Sequence, residues 1–140
     1  RGIGFSRANR FGLEFDQYFK EAQKPIIVGM IESSRAISNL ESILSVDGID
    51  ALMIGPYDLS GSMGITGDFD SLDFQRVIIE FVETCKAASV PAGMHVVEPS
   101  VRQFEDSVAS GYRWIAYSID AVFLYRNSVA PSLARINLKD

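Results

Sequence analysis

The sequence is sparing with the side chains that most often announce a site: it has one cysteine, one histidine and one tryptophan in 140 residues. A lone thiol closes no internal disulfide, and Cys85 sits among apolar residues at helical spacing, so it reads as a packed core residue in a reducing compartment. A lone imidazole is too little for a zinc cluster or a catalytic triad. His95 therefore reads as a polar supporting or structural residue near a strand end, with a direct part in a site on that tip as the alternative. No apolar run approaches the roughly 20 residues a membrane helix needs, and no charged and apolar leader opens the chain. The expectation is a cytoplasmic protein that meets no membrane. Basic residues are fewer than acidic ones, 13 against 18, which leaves a net charge of −5. They are also dispersed, and Arg7 with Arg10 reads as a solvated helix face; a general nucleic-acid surface is excluded because it would gather Lys and Arg against phosphates.

What is present is the balance of a globular chain, 47% hydrophobic and 22% charged, with one domain over residues 1–140 as the natural expectation. From Pro25 onward, short β-branched runs alternate with helical patterns, the signature of βα units on a parallel sheet. Four units are predicted. Their strands are Ile26–Ile31, Asp50–Gly55, Val90–Val97 and Tyr112–Ile119. A helix from about Ser34 to Ser45 carries Ile37, Leu40 and Leu44 on one face. A turn-rich stretch covers Pro56–Ser71. A strongly periodic helix then bears Phe74, Val77, Ile78, Phe81, Val82 and Cys85. A third helix, with Val101, Phe104 and Val108, is closed by Gly111, and a last one runs through Ala121, Val122, Leu124 and Tyr125. Residues 1–24 read as a loop plus a helix around Asp16–Ala22. The nearly continuous apolar strands predict a sheet buried on both faces, as in a doubly wound sheet or a barrel. A complete βα barrel takes about 250 residues and eight units, so four units make half of one.

The chemistry belongs at the strand tips. Alternate side chains on the first strand share a face, so Val28, Met30 and Glu32 project together, and Glu32 ends the strand where the βα loops of parallel sheets converge. The second strand ends in Gly55-Pro56-Tyr57-Asp58, with Asp58 at the equivalent tip. Neighbouring strands are about 4.8 Å apart, which brings carboxylates on adjacent tips within the span of one cation. Such a pair repels unless one is protonated or a metal lies between. An all-oxygen donor set favours Mg²⁺ or Mn²⁺, with positions left for water and substrate. The competing structural roles are a first-turn carboxylate favoured by a helix dipole for Glu32 and a helix cap for Asp58. The glycines of Gly61-Ser62-Met63-Gly64-Ile65-Thr66-Gly67 lack the Lys-Ser/Thr ending of a phosphate loop and read as tight turns or close approach to a small ligand. Trp114, Tyr117 and Phe123 read as packing residues.

These residues also carry a resemblance. Met30-Ile31-Glu32-Ser33, Asn39-Leu40, Val46-Asp47-Gly48-Ile49-Asp50 and Ile54-Gly55-Pro56-Tyr57-Asp58-Leu59-Ser60 with Met63-Gly64 resemble the HpcH/HpaI aldolase and citrate lyase β-subunit family. The similarity extends weakly upstream through Gly2-Ile3-Gly4-Phe5-Ser6-Arg7-Ala8 and downstream to Ser118-Ile119-Asp120-Ala121. It implies a TIM-type βα barrel, of which this chain is the C-terminal four units. The implied activity is a class II aldolase that cleaves 4-hydroxy-2-keto acids to pyruvate and an aldehyde through an enolate held on a divalent metal. In that resemblance Glu32 and Asp58 fall on the two metal-ligand positions. Gly55, Pro56, Tyr57 and Asp58 form the substrate-binding stretch, with backbone N–H groups near Tyr57 and Asp58 holding the pyruvate carboxylate. The family's catalytic histidine and its substrate-binding arginine belong to earlier strands that these residues do not include, and His95 does not match that histidine. Where many members have a glutamine two residues before the metal-binding glutamate, this chain has Met30.

The resemblance further implies a homo-oligomer, hexameric in members of the group, whose last helix packs on a neighbouring subunit. Two alternatives stay open at this point. One keeps the metal site but acts on acyl-CoA thioesters, as in the citrate lyase branch, although no basic CoA-binding cluster is evident. The other is a truncated, non-catalytic domain that self-associates.

Overall fold

The computed structural model describes residues 5–128. Its centre is a four-stranded parallel sheet in the order β1-β2-β3-β4. The strands are β1 (Val28–Ile31), β2 (Ala51–Ile54), β3 (Ala92–Val96) and β4 (Trp114–Tyr117). Each is shorter than the apolar run that predicted it, because the run ends supply loop residues. Ile27, for instance, donates its amide to Asp50 Oδ2 at 2.7 Å rather than to a neighbouring strand. A short 3-10 segment (Arg7–Gly12) and α1 (Phe15–Glu21) precede the sheet, close to the predicted loop and helix.

The helix predicted over 34–45 is divided into α2 (Ser34–Ser38) and α3 (Leu40–Leu44). The break falls at Asn39, which leaves helical geometry at φ −111° and ψ 15°. Its side-chain amide donates to the Arg35 carbonyl at 2.7 Å, the local competition with the helix ladder expected of asparagine. The segment predicted as turns contains a further helix, α4 (Pro56–Ser62), with proline at its first position, where the missing N–H costs nothing and the fixed φ is already helical. The strongly periodic helix is α5 (Leu72–Ala87), and α6 (Val101–Ala109) and α7 (Asp120–Asn127) follow. Ser71 and Ser100 cap α5 and α6 by accepting from the amides of Phe74 and Gln103. Gly111 takes φ +101° just past α6, the left-handed position that ends a helix.

The two faces of the sheet differ. On one, Ile31, Leu52, Ile54 and Ala92 pack with Ile37, Leu40, Phe74, Phe81, Val82 and Cys85 into one buried cluster, so the helical stripe read from the sequence is core. On the other face, Met30 is half exposed, and Met53, His95, Trp114 and Ala116 are only partly covered. The expectation that the strands are buried on both faces is therefore corrected: four strands present a second face that no described element covers. Among the described residues no helix is long and apolar enough to cross a membrane.

Cys85 is fully buried, and burial pushes its thiol up from the usual 9.0 to about 11. Burial, with the nearby Cys85 charge adding to it, pushes the Tyr112 phenol up to about 12. Both groups release their protons earlier in the unfolded chain than in the folded one. Their contribution to stability is complete below about pH 9 and is lost as pH rises through about 11 for Cys85 and about 12 for Tyr112. Urea unfolding midpoints should accordingly fall between pH 9 and 11, and Cys85→Ala should flatten that fall.

Candidate metal centre

Two loops at the C-terminal edge of the sheet bring the predicted residues together. Ile31 pairs with Ile54, and the Gly55 amide donates to the Ile31 carbonyl at 2.9 Å, so Glu32 stands level with Gly55. The contact is close. A Cβ on Gly55 would lie 2.8 Å from Glu32 Cγ and 3.0 Å from Oε1, which shows that the Glu32 side chain runs across the backbone at 55. Only glycine leaves that path open. Asp58 is three residues further on, in the first turn of α4.

Both carboxylates line one cleft of about 620 Å³, together with Gly55, Pro56, Tyr57 and, across the sheet, His95. That size suits a small organic ligand. The structural alternatives can be decided. Glu32 does not sit in the first turn of α2, because Ser33 occupies the cap and accepts from the Ala36 amide at 3.2 Å. Asp58 lies in a first turn, where the helix dipole favours it, but α4 has no side-chain cap at its start. Both side chains are exposed, and each faces the cleft without an ion-pair partner among the described residues. A cation reached by both carboxylates would offset their charges. Among the described residues no three His, Cys, Asp or Glu side chains gather as a metal cage. A cation held by the pair would take its remaining oxygen donors from water or substrate, as Mg²⁺ and Mn²⁺ commonly do.

Two serines to which the sequence reading gave no role of their own hold this corner: Ser62 ties the two loops together, and Ser60 ties α4 to the turn that follows it. Ser62 Oγ accepts from the Ser34 amide at 2.8 Å, just beyond Glu32, and donates to the Leu59 carbonyl at 2.8 Å. Fully buried Ser60 donates to the Tyr57 carbonyl at 2.9 Å and accepts from the Gly67 amide at 3.0 Å. The signal for them is a pair of hydroxyls just before a glycine-rich turn, whose backbone needs acceptors. In that turn Gly64 and Gly67 both adopt φ +77°, as the tight-turn reading requires. Tyr57 packs edge-on against Phe69 with ring centres 4.9 Å apart, and Phe69 continues to Phe74 at 5.3 Å. The result is an aromatic wall from the cleft into the core.

His95 donates from Nε2 to the Ser118 carbonyl at 3.1 Å, since a carbonyl can only accept. Met30 pairs with Met53, and both line the cleft, giving it an apolar floor. Trp114 lies over Gly93, where a Cβ would meet Trp114 Cε3 at 3.0 Å. Tyr117 packs between Phe104 and Phe123, as packing residues should.

Comparison with known proteins is consistent with this geometry. The sequence model of HpcH/HpaI aldolase/citrate lyase matches residues 3–126. The 2-keto-3-deoxy-L-rhamnonate aldolase of Klebsiella pneumoniae is 37% identical over 134 residues, which is 95% of this chain and 49% of that protein. The chain thus spans about half the length of the curated relatives it matches. Among solved structures, an HpcH/HpaI aldolase/citrate lyase family protein from Burkholderia cenocepacia superposes with a TM-score of 0.69 at 29% identity, over 90% of this chain and 49% of that one. An HpcH/HpaI aldolase from Desulfitobacterium hafniense gives 0.66 at 23% identity, over 79% and 42%, and shows the same fold.

The buried Ser60 hydroxyl satisfies one acceptor and one donor of the loop at once. Ser60→Ala leaves the Gly67 amide without its acceptor and should lower the unfolding free energy by about 1–3 kcal/mol. Urea denaturation checks this; a variant as stable as the parent would show that the hydroxyl does not hold the loop.

Proposed function

The chain belongs to the HpcH/HpaI aldolase/citrate lyase family, and from that premise we propose that it carries the cation-binding half of a class II pyruvate aldolase. The observation that supports this reading most directly is that Glu32 and Asp58 line one cleft, with the Glu32 side chain crossing the backbone at Gly55. In this reading residues 1–140 form a single domain, the C-terminal four βα units of an eight-unit TIM-type barrel. The substrates are 4-hydroxy-2-keto acids, cleaved to pyruvate and an aldehyde. A homo-oligomeric assembly and a cytoplasmic address belong to the same proposal.

The donor set fits a hard divalent cation, Mg²⁺ or Mn²⁺, with Glu32 and Asp58 as its protein ligands. Bound there, such an ion supplies Lewis acidity next to a keto oxygen. The chain's own residues bind and orient. Pro56 has no N–H and starts α4 at the cleft wall, so the amides of Tyr57 and Asp58 are the first free donors of that helix. They sit where the helix dipole favours an anion and suit the carboxylate of a 2-keto acid. Met30, Met53 and the Tyr57–Phe69 pair give the same space apolar walls. The arginine and the base expected from the family resemblance lie outside these residues.

The reading is tested in the full-length protein with Mn²⁺, by pyruvate release from a 4-hydroxy-2-keto acid. Asp58→Ala should lower kcat/KM by more than about 100-fold, beyond the loss typical of a residue that only supports a metal ligand. Gly55→Ala should displace Glu32 and weaken Mn²⁺ binding by about tenfold or more, with the unfolding midpoint nearly unchanged. Undiminished turnover in Asp58→Ala would sink the assignment.

A further inference from the structure

We propose that His95 is a specificity residue of the cleft, accepting through Nδ1 a hydrogen bond from a hydroxyl on the aldehyde-derived part of the substrate. The inference rests on the aldolase reading and adds a role for a side chain that the reading leaves unused.

The strand register places it. Met30, Met53, Gly93 and Trp114 pair in turn across the four strands, so they form one row on the uncovered face. Two residues further toward the C-terminal ends, the next row is Glu32, Gly55, His95 and Ala116. His95 pairs with Ala116 directly, and Glu32 is level with Gly55 through the Gly55 amide bond to Ile31. Glu32 and His95 thus flank Gly55 in a single row, two strands and roughly 10 Å apart along the sheet. With no side chain at 55, the Glu32 side chain lies over that gap on the way toward β3, and both residues line the cleft with Asp58. A ligand held by the two carboxylates is bounded on its β3 side by the imidazole.

The imidazole is also committed chemically. Its Nε2 donates to the Ser118 carbonyl, which fixes the ring and puts the proton of the neutral form on Nε2, so Nδ1 is left as an acceptor. No described residue donates to Nδ1. The group Nδ1 can recognise is a donor without charge, and a substrate hydroxyl fits. The neighbouring floor makes this contact selective, because Met30 and Met53 offer no competing hydrogen bond. An aldehyde that lacks the hydroxyl leaves Nδ1 without that partner, and a site built to hydrogen-bond a hydroxyl discriminates against the analogue without it.

The experiment runs the condensation direction in the full-length protein with pyruvate, Mn²⁺ and either glycolaldehyde or acetaldehyde. Mn²⁺ binding is measured in parallel by electron paramagnetic resonance. His95→Leu should lower kcat/KM for glycolaldehyde about tenfold and leave acetaldehyde and Mn²⁺ affinity nearly unchanged. His95→Asn, whose Oδ1 can stand near the Nδ1 position, should recover most of the preference. Equal losses with both aldehydes would show a merely structural residue and overturn the proposal, as would a variant with the parent's preference. Failure of the aldolase reading itself looks different: the unmutated protein would then condense neither aldehyde and bind no Mn²⁺.

Discussion

The hydrogen bond from the Gly55 amide to the Ile31 carbonyl, 2.9 Å long, governs how the candidate site is assembled. It continues the β1–β2 ladder one residue past the strands and sets Glu32 beside Gly55 rather than above or below it. A shift of one residue would turn Glu32 toward the helices, because side chains alternate faces along a strand. The glycine completes the arrangement, since any side chain at 55 would occupy the path the Glu32 side chain follows. Asp58 then needs only the first turn of α4 to reach the same cleft.

Support for this corner comes from groups of little chemical distinction. Ser62 joins the start of α2 to the end of α4, and Ser60 joins α4 to the turn that follows it. Each gives a loop amide an acceptor, that of Ser34 for Ser62 and that of Gly67 for Ser60, and Ser62 restricts one carboxylate-bearing loop relative to the other. Below them lies a core in which Leu52, Leu59, Phe81 and Cys85 are fully buried. Apolar burial is non-directional and supplies most of the stability, whereas the serine bonds are directional and specify the loop geometry. The exposed second face of the sheet shows the other side of the same economy of strands. Four of them are enough to build a helix-covered core and too few to enclose the residues on the far face.

The carboxylates and the imidazole divide the cleft between charge and shape. Glu32 and Asp58 bring negative charge to the β1–β2 side, Glu98 and Asp106 line the β3 side, and Met30, Met53 and the Tyr57–Phe69 wall are apolar. His95 lies across the glycine gap from Glu32 with its ring held by the Ser118 carbonyl.

Much of this was legible in the residue order. Strand–helix alternation gave the parallel sheet, because apolar period tracks secondary structure; the α5 stripe from Phe74 to Cys85 was read correctly as core for the same reason. Glu32 and Asp58 stood out because acidic residues at the ends of apolar strands have no packing role there. Local pattern did not reveal the break at Asn39 or the helix beginning at Pro56, which depend on one side-chain hydrogen bond and on the fit of proline to a first turn. Nor could it show that the strands are covered on one face only. Which residues share a row was decided by the register of strands distant in sequence, and that is a property of the packed sheet. The sequence by itself determined the element types and the candidate ligands, since these follow from periodicity and side-chain chemistry. Only the tertiary structure decided that Glu32 crosses Gly55, that Ser60 and Ser62 fasten the loops, and that His95 faces the same gap, because each depends on backbone pairing across residues far apart in the chain.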